Sequence, residues 1–191
     1  MNKILIVGLI GILSAWITII ISALINPWFS ITHNALSDLG GGGPLNGHPY
    51  PTDPLVYNGG LIITSLIILI FSILIVNNSR NKLEIVGGSF FMISALFLAL
   101  IGIYHEGTYP HNFVSLWFFI LASISYIVIS ISLILTRIFL KIGIILLSLI
   151  ILGWILFIII PWQSVAEDEI FGISIIDICV ILHGISFNKI H

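Results

Sequence analysis

The chain has too little charge for a water-soluble fold. Only 7% of its 191 residues are charged, whereas 59% are hydrophobic. Since a soluble domain carries roughly 25% charged residues, an aqueous surface cannot be built from this composition. The formal net charge is -2, so the chain also lacks the basic surface that nucleic acid binding needs. We therefore expect a protein that contacts membrane lipids and no nucleic acid.

Cysteine and proline are scarce in ways that exclude other classes. Cys179 is the only cysteine, so an internal disulfide and a thiolate metal cluster are both excluded. All seven prolines lie between the long apolar runs, and no run is interrupted in its middle by proline or paired glycines. Discontinuous helices mark many transporter sites, so this pattern disfavours a transporter or channel.

Six apolar stretches are long enough to cross a bilayer. Each approaches the roughly 20 residues that a helix needs to span about 30 Å of hydrocarbon. Their long Ile and Leu runs lack the two-residue alternation of a membrane barrel. The sequence predicts an all-α fold, a polytopic membrane protein with a single six-helix transmembrane domain. The predicted spans lie near residues 4–25, 55–76, 84–103, 113–135, 142–160 and 171–187.

Basic residues occur only in alternate connections and near the two termini. They are Lys3, Arg80, Lys82, Arg137, Lys141 and Lys189. Because positive charge stays on the cytoplasmic side of a membrane, we expect a cell-membrane protein with both termini cytoplasmic. The extracytoplasmic side then carries most of the acids and histidines: His33, Asp38, His48, Asp53, His105, Glu106, His111, Glu167, Asp168 and Glu169.

The long connection between the first two spans is predicted to hold a short helix. Ser30 or Thr32 would cap this helix, and Gly40 would end it in a left-handed conformation. Residues four apart share one helical face, which predicts a polar stripe. The stripe would contain His33, Asn34, Ser37 and Asp38.

Several chemically versatile side chains are expected at this same depth. His105 and Glu106 follow the third span, and His111 opens the fourth. A serine or water nucleophile, a histidine base and an orienting carboxylate would suffice for hydrolysis or transfer. The candidate catalytic residues are His33, Ser37, Asp38, His105, Glu106 and His111.

The same residue types also suit a divalent metal ion such as zinc, with one position left for water. The candidate ligands are Asp38, His105, His111 and Asp177. Asp177 is predicted to lie about seven residues, or roughly 10 Å, inside the last span. A carboxylate at that depth faces a cavity or a partner, so it either joins the outer site or locks two helices by a hydrogen bond. No His-Glu-x-x-His or His-x-x-x-His motif is present.

A structural interpretation of these residues stays open beside the functional one. In this interpretation the first connection is an ordered cap in which Asp38 binds backbone amides near Gly40. The run from Glu167 to Glu169 suits the N-terminus of the sixth helix, where the helix dipole favours acids. His183 is expected to be a hydrogen-bonded packing residue or a group at the inner membrane boundary rather than a ligand.

Four segments resemble a known family. They are Asn34–Gly40 (Asn-Ala-Leu-Ser-Asp-Leu-Gly), Tyr57–Gly60, Gly102–Gly107 (Gly-Ile-Tyr-His-Glu-Gly) and Pro110–Ser115. Together they resemble the prokaryotic membrane proteins catalogued as domain of unknown function nine-nine-eight, and more distantly the six-span autophagy-modulator-like membrane family. The resemblance implies six helices and an outward polar face, and it implies no reaction. The Ile-rich, charge-poor composition resembles an archaeal version.

Two functions remain open at this point. The first is a protein whose outward polar pocket binds or hydrolyses a lipid or lipid-linked substrate. The second is a non-catalytic structural or accessory subunit of a larger membrane complex, which the small size and the lack of a strong motif favour.

Overall fold

The computed structural model describes residues 2–187, and these form an all-α fold without strands. Six long helices are present: α1 Lys3–Ile25, α2 Pro54–Asn77, α3 Lys82–Ile103, α4 His111–Thr136, α5 Leu140–Ile159 and α6 Val165–Ser186. All six are long and apolar enough to cross a membrane. The predicted fold class is thereby confirmed, and the chain is a multi-pass membrane protein.

Polar side chains fix where three of the helices begin. Asn2, Asn81 and Ser164 cap α1, α3 and α6, each accepting a hydrogen bond from a backbone N–H three residues later. Such caps satisfy backbone donors that have no partner within the helix. The cap at Ser164 explains why α6 begins six residues earlier than the predicted boundary at 171. Glu167 and Asp168 consequently lie in the first helical turn, where the dipole favours negative charge.

The helices pack as a bundle that α6 closes. From α1 to α5, each helix contacts the next one along the chain. Helix α6 packs against α1, α4 and α5. Aromatic rings fill the centre: Phe91 meets Phe71 edge-on at 6.0 Å and Tyr126 at 5.2 Å between ring centroids. All three side chains are buried. The core therefore joins α2, α3 and α4.

The connections lie at two opposite ends of the bundle. We call one the histidine-rich end, formed by residues 26–53, 104–110 and 160–164, and the other the basic end, formed by residues 78–81 and 137–139. Backbone hydrogen bonds join the first connection to the second, from Gly42 to Glu106 (2.8 Å), and to the start of α6, from Ala166 to Asn34 (2.9 Å). The residues predicted to share one side are therefore gathered at one end of the fold.

The predicted short helix in the first connection is present and reaches Leu39, but it begins later than expected and its end geometry differs. Only Leu36–Leu39 are helical, as a 3-10 helix, and Gly40 has a φ of -106° rather than a left-handed conformation. Side chains take the bonds that an α-helix would use, because Asp38 accepts from the N–H of Ala35 (2.9 Å). Positive φ angles occur instead at Gly42 (77°) and Gly43 (118°), and further along the connection at Gly47 (82°) and Asp53 (50°). Gly42 and Gly43 begin the path to a second 3-10 helix, Pro44–Asn46.

Candidate functional site

An ion pair between Glu106 and His111 lies at the centre of the histidine-rich end. Oε2 of Glu106 is 3.0 Å from Nε2 of His111, and Nδ1 of His111 donates to the carbonyl of Tyr104 at 2.7 Å. Both imidazole nitrogens thus face oxygen acceptors, which suits the doubly protonated ring. Chiefly through the hydrogen bond from His111, and against the effect of partial burial, the pKa of Glu106 is lowered to about 2.

Glu106 also connects two of the loops. Ser37 Oγ donates to Oε2 of Glu106 at 3.1 Å, and Asn46 Nδ2 donates to Oε1 at 3.0 Å. The backbone of Gly41 lies so close that a Cβ there would overlap the Glu106 carbonyl oxygen and lie 2.6 Å from Nδ1 of His105. Only glycine fits at this approach, so Gly41 lets the first connection pack directly against the backbone of Glu106.

Asp38 belongs to a second pair within the first connection. Its Oδ1 lies 3.0 Å from Nε2 of His48, whose Nδ1 is 2.7 Å from the carbonyl of Pro49. The imidazole of His48 stacks on Trp28, with ring centroids 4.7 Å apart and planes at 8°. Asp38 and His48 are both buried. The carboxylate therefore bonds within its own loop, to the N–H of Ala35 and to His48.

A polar cavity of about 580 Å³ opens beside these pairs. It is lined by His33, Asn34, Ala35, Ser37, Asp38, Asn46, Glu106, His111, Asn112, Ser115, Ser164, Val165 and Glu169. Five of the six candidate catalytic residues are among them. The cavity is a polar chamber walled by the first connection, the α3–α4 connection and the start of α6.

Two apolar cavities adjoin this chamber. One, of about 230 Å³, lies between α4, α5 and α6, and we call it the α5 groove; Phe119, Trp154 and Phe171 are among its walls. The other is a narrow central cavity of about 80 Å³ that continues between α1, α2 and α6. Ser115 and Glu169 line the chamber and both apolar cavities. These two residues mark the place where polar and apolar space meet.

The remaining predicted site residues lie apart from the Glu106 pair. His33 is exposed and its Nδ1 contacts Thr32 Oγ1 at 2.8 Å, so it does not form the predicted stripe with Ser37. His105 is exposed, and its Nδ1 lies 3.0 Å from the carbonyl of Glu106. Asp177 lines the central cavity and accepts from Nε1 of Trp16 at 2.8 Å, which joins α6 to α1.

The candidate metal ligands do not converge. Asp38 is paired with His48 and His111 with Glu106, while Asp177 lies on a different cavity. Across residues 2–187, no group of three or more His, Cys, Asp or Glu side chains is arranged to hold a metal ion. This donor geometry does not fit the predicted divalent ion.

Sequence reasoning missed four residues of this end. His48 and Asn46 carry no periodic pattern that would indicate their partners, whereas Ser115 lies one helical turn after His111, with its Oγ 3.4 Å from Nε2 of that ring. Glu169 was attributed only to a helix terminus, yet its Oε2 accepts from the N–H of Leu36 at 2.7 Å. Its place in the site depends on the early start of α6, which the cap at Ser164 sets.

A second polar cluster, buried at the basic end, also went unpredicted. Glu84 is fully buried and binds Arg80 through two nitrogens of the guanidinium group. His183 reaches the same carboxylate, as the hydrogen-bonded packing residue that the sequence indicated. This cluster joins the α2–α3 connection to α6, far along the bundle from the chamber.

Comparison with known proteins places the chain in a family without a known activity. No curated protein matches it, and no solved structure matches it. The family model described as "Protein of unknown function (DUF998)" matches residues 9–186, which is nearly the whole chain. The chain therefore belongs to the DUF998 family of proteins of unknown function.

Proposed function

We propose that this protein binds an amphiphile, a lipid or lipid-linked molecule, at the histidine-rich end. The polar head would lie where the chamber meets the α5 groove, and the hydrocarbon tail would lie in the groove. One observation supports this above others: Ser115 and Glu169 line both spaces. A single molecule with a polar head and an apolar tail could therefore contact both. Ligand sites are mostly apolar cavities with a few placed polar groups, and the combined space matches that description.

The side-chain order favours binding over hydrolysis. In a serine hydrolase, an imidazole stands between the serine and the carboxylate and takes the proton from the serine. Here the carboxylate of Glu106 stands between Ser37 and His111, and both nitrogens of His111 face acceptors. With its pKa at about 2, Glu106 is a weak base at neutral pH. Its network instead presents a rigid, hydrogen-bonded wall to a polar group.

A variant that closes the junction tests the proposal. Ser115→Phe would place a ring where the chamber meets the α5 groove, whereas Ser174→Phe adds the same ring on α6 away from these cavities. The measurement is cross-linking of the purified protein by a phospholipid with a photoreactive group in its tail, mapped by mass spectrometry. Adducts on α4–α6 groove residues should be strong in wild type and Ser174→Phe and weak in Ser115→Phe. Equal labelling of all three proteins, or adducts spread evenly over the lipid-facing surface, contradicts the proposal.

We also propose that the protein lies in the cell membrane with the chamber extracytoplasmic and both termini cytoplasmic. The distribution of basic residues supports this orientation. Cys179 is the only cysteine and is buried, so single cysteines introduced at Tyr109 and Arg137 would report the two faces cleanly. A membrane-impermeant thiol reagent should label Tyr109→Cys but not Arg137→Cys in intact cells. Labelling of Arg137→Cys alone would show that the orientation is opposite to the one proposed. The archaeal type and the distant likeness to autophagy-modulator-like proteins stay predictions.

An accessory role in a larger membrane complex is the alternative function. It is supported by the lack of a strong catalytic or metal-ligand motif in the sequence. Mild solubilisation of native membranes, followed by affinity purification of the tagged chain, distinguishes the two. A stoichiometric partner protein would favour the accessory role, and a chain that migrates alone with bound lipid would favour the amphiphile-binding role.

A further inference from the structure

The charges of the histidine-rich end are unevenly paired. Its three connections contain no lysine or arginine, so its cations can only be histidines. Among the described residues, Asp38 is paired with His48 and Glu106 with His111. These two pairs use both histidines that are buried at this end.

Two carboxylates are left at the mouth of the α5 groove. Asp168 and Glu169 both line it, and neither forms an ion pair with a described cationic residue. Glu169 accepts one hydrogen bond from the N–H of Leu36, which leaves its other oxygen without a described donor. The rest of the wall is almost entirely apolar, with rings from Phe119, Trp154 and Phe171.

A groove of this kind selects by charge. An anionic head would meet two carboxylates in a weakly hydrated place, and like charges there are strongly unfavourable. A neutral head can donate ordinary hydrogen bonds to the carboxylates but supplies no opposite charge. A cationic head can donate charge-assisted hydrogen bonds to them while its chain lies against the rings.

We infer that the amphiphile bound in the α5 groove carries a cationic, amine-type head, which Asp168 and Glu169 recognise. This inference rests on the proposed function and adds the class of ligand to it. Glu169 is the central contact, because it lines the chamber and both apolar cavities. Asp168 lines the groove alone and adds a second acceptor at its mouth.

Tail-matched probes test the head group separately from the tail. The probes are 9,10-dibromostearylamine, the corresponding alcohol and the corresponding acid, titrated into the purified protein in a neutral maltoside detergent. Bromine quenches tryptophan fluorescence on contact, and Trp154 is a native reporter within the groove. Subtracting the titration of Trp154→Phe isolates its signal from that of the other four tryptophans. We expect the amine to reach half-saturation at about one tenth of the alcohol concentration, as a charge-assisted hydrogen bond implies.

Substitutions then assign the effect to the two acids. Glu169→Gln and Asp168→Asn should each raise the half-saturation of the amine about tenfold and leave that of the alcohol unchanged. Glu167→Gln is the matched control, because it lies in the same acidic run without lining the groove, and it should change neither. Unchanged binding of the alcohol also shows that each variant is folded.

The outcomes separate this inference from the proposed function. Equal half-saturation for amine and alcohol, tightest binding of the acid, or an amine titration unaffected by Glu169→Gln and Asp168→Asn would overturn the cationic head while leaving amphiphile binding intact. If none of the three probes quenches Trp154, the groove holds no such tail, and the proposed function fails together with the inference.

Discussion

Nε2 of His183 lies 3.0 Å from Oε1 of Glu84, and both side chains are completely buried although 99 residues separate them. The same carboxylate accepts from Nε of Arg80 at 3.0 Å and from its Nη2. The guanidinium group in turn packs over the rings of Phe139 and Phe187, at 5.2 and 4.6 Å from their centroids. A buried charge in this region is therefore compensated from several directions, which makes each partner sensitive to loss of another.

Replacement of Glu84 should be the most destabilising single acid-to-amide change in the chain. Glu84→Gln leaves the guanidinium group of Arg80 partly buried without its counter-charge, and breaking such a pair costs about 3–5 kcal/mol. Thermal unfolding in detergent measures the loss as a lower midpoint. Asp53→Asn, an exposed acid without a side-chain cap bond, should change the free energy of unfolding by less than about 0.5 kcal/mol. Equal midpoints for the two variants would contradict this account.

Acid should weaken the fold through Glu106. Its folded pKa of about 2 lies below the unfolded value of 4.5, so the stabilisation is complete above about pH 4.5 and is lost as the pH falls towards 2. With allowance for solvent screening at this partly exposed group, the contribution is roughly 1–2 kcal/mol. The unfolding midpoints of wild type and Glu106→Gln should therefore differ at pH 6 and converge by pH 2.5. A difference that is constant with pH would show that the ion pair with His111 contributes nothing.

The hydrogen bond from Trp16 to Asp177 should stabilise the contact between α1 and α6. Trp16→Phe removes the donor, and interhelical hydrogen bonds in membrane proteins average about 0.6 kcal/mol with a maximum near 1.7. Trp117→Phe is the control, because Trp117 lies on α4 with its side chain partly exposed and packed beside Phe113. Unfolding by a denaturing detergent should show a loss for Trp16→Phe alone. Equal losses for both would attribute the effect to ring size.

Gly41→Ala should disturb the chamber without touching its charged groups. The added Cβ would overlap the backbone carbonyl of Glu106, which cannot move as a flexible side chain can. Overpacking of this kind costs about 1–3 kcal/mol. Gly59→Ala adds the same methyl group where no atom lies within 4 Å, so it should be neutral. Weaker binding of the amine probe by Gly41→Ala than by Gly59→Ala is the expected result, and equal binding would place Glu106 outside the site.

The sequence predicts those features of this protein that depend on local patterns, and it does not predict those that depend on contacts between distant segments. Hydrophobic run length depends on the bilayer thickness alone, so the all-α, six-helix class could be predicted. Loop conformation depends on individual hydrogen bonds, so positive φ angles occur at Gly42 and Gly43 rather than at Gly40. Glu84 contacts His183, and Ser37 contacts Glu106. Both contacts join segments that are far apart in the sequence, so no local spacing predicts them.

The limited packing of α5 against the rest of the bundle determines how a ligand could reach the groove. This helix packs chiefly on α4 and α6. Only 22% of the residues in its most apolar stretch are buried inside the protein, the lowest fraction of the six helices. One wall of the groove therefore faces the surrounding hydrocarbon. A long-tailed molecule would enter the groove laterally from the bilayer, with only its head moving through the interfacial layer. Its delivery would then depend on lateral diffusion in the leaflet rather than on solubility in water.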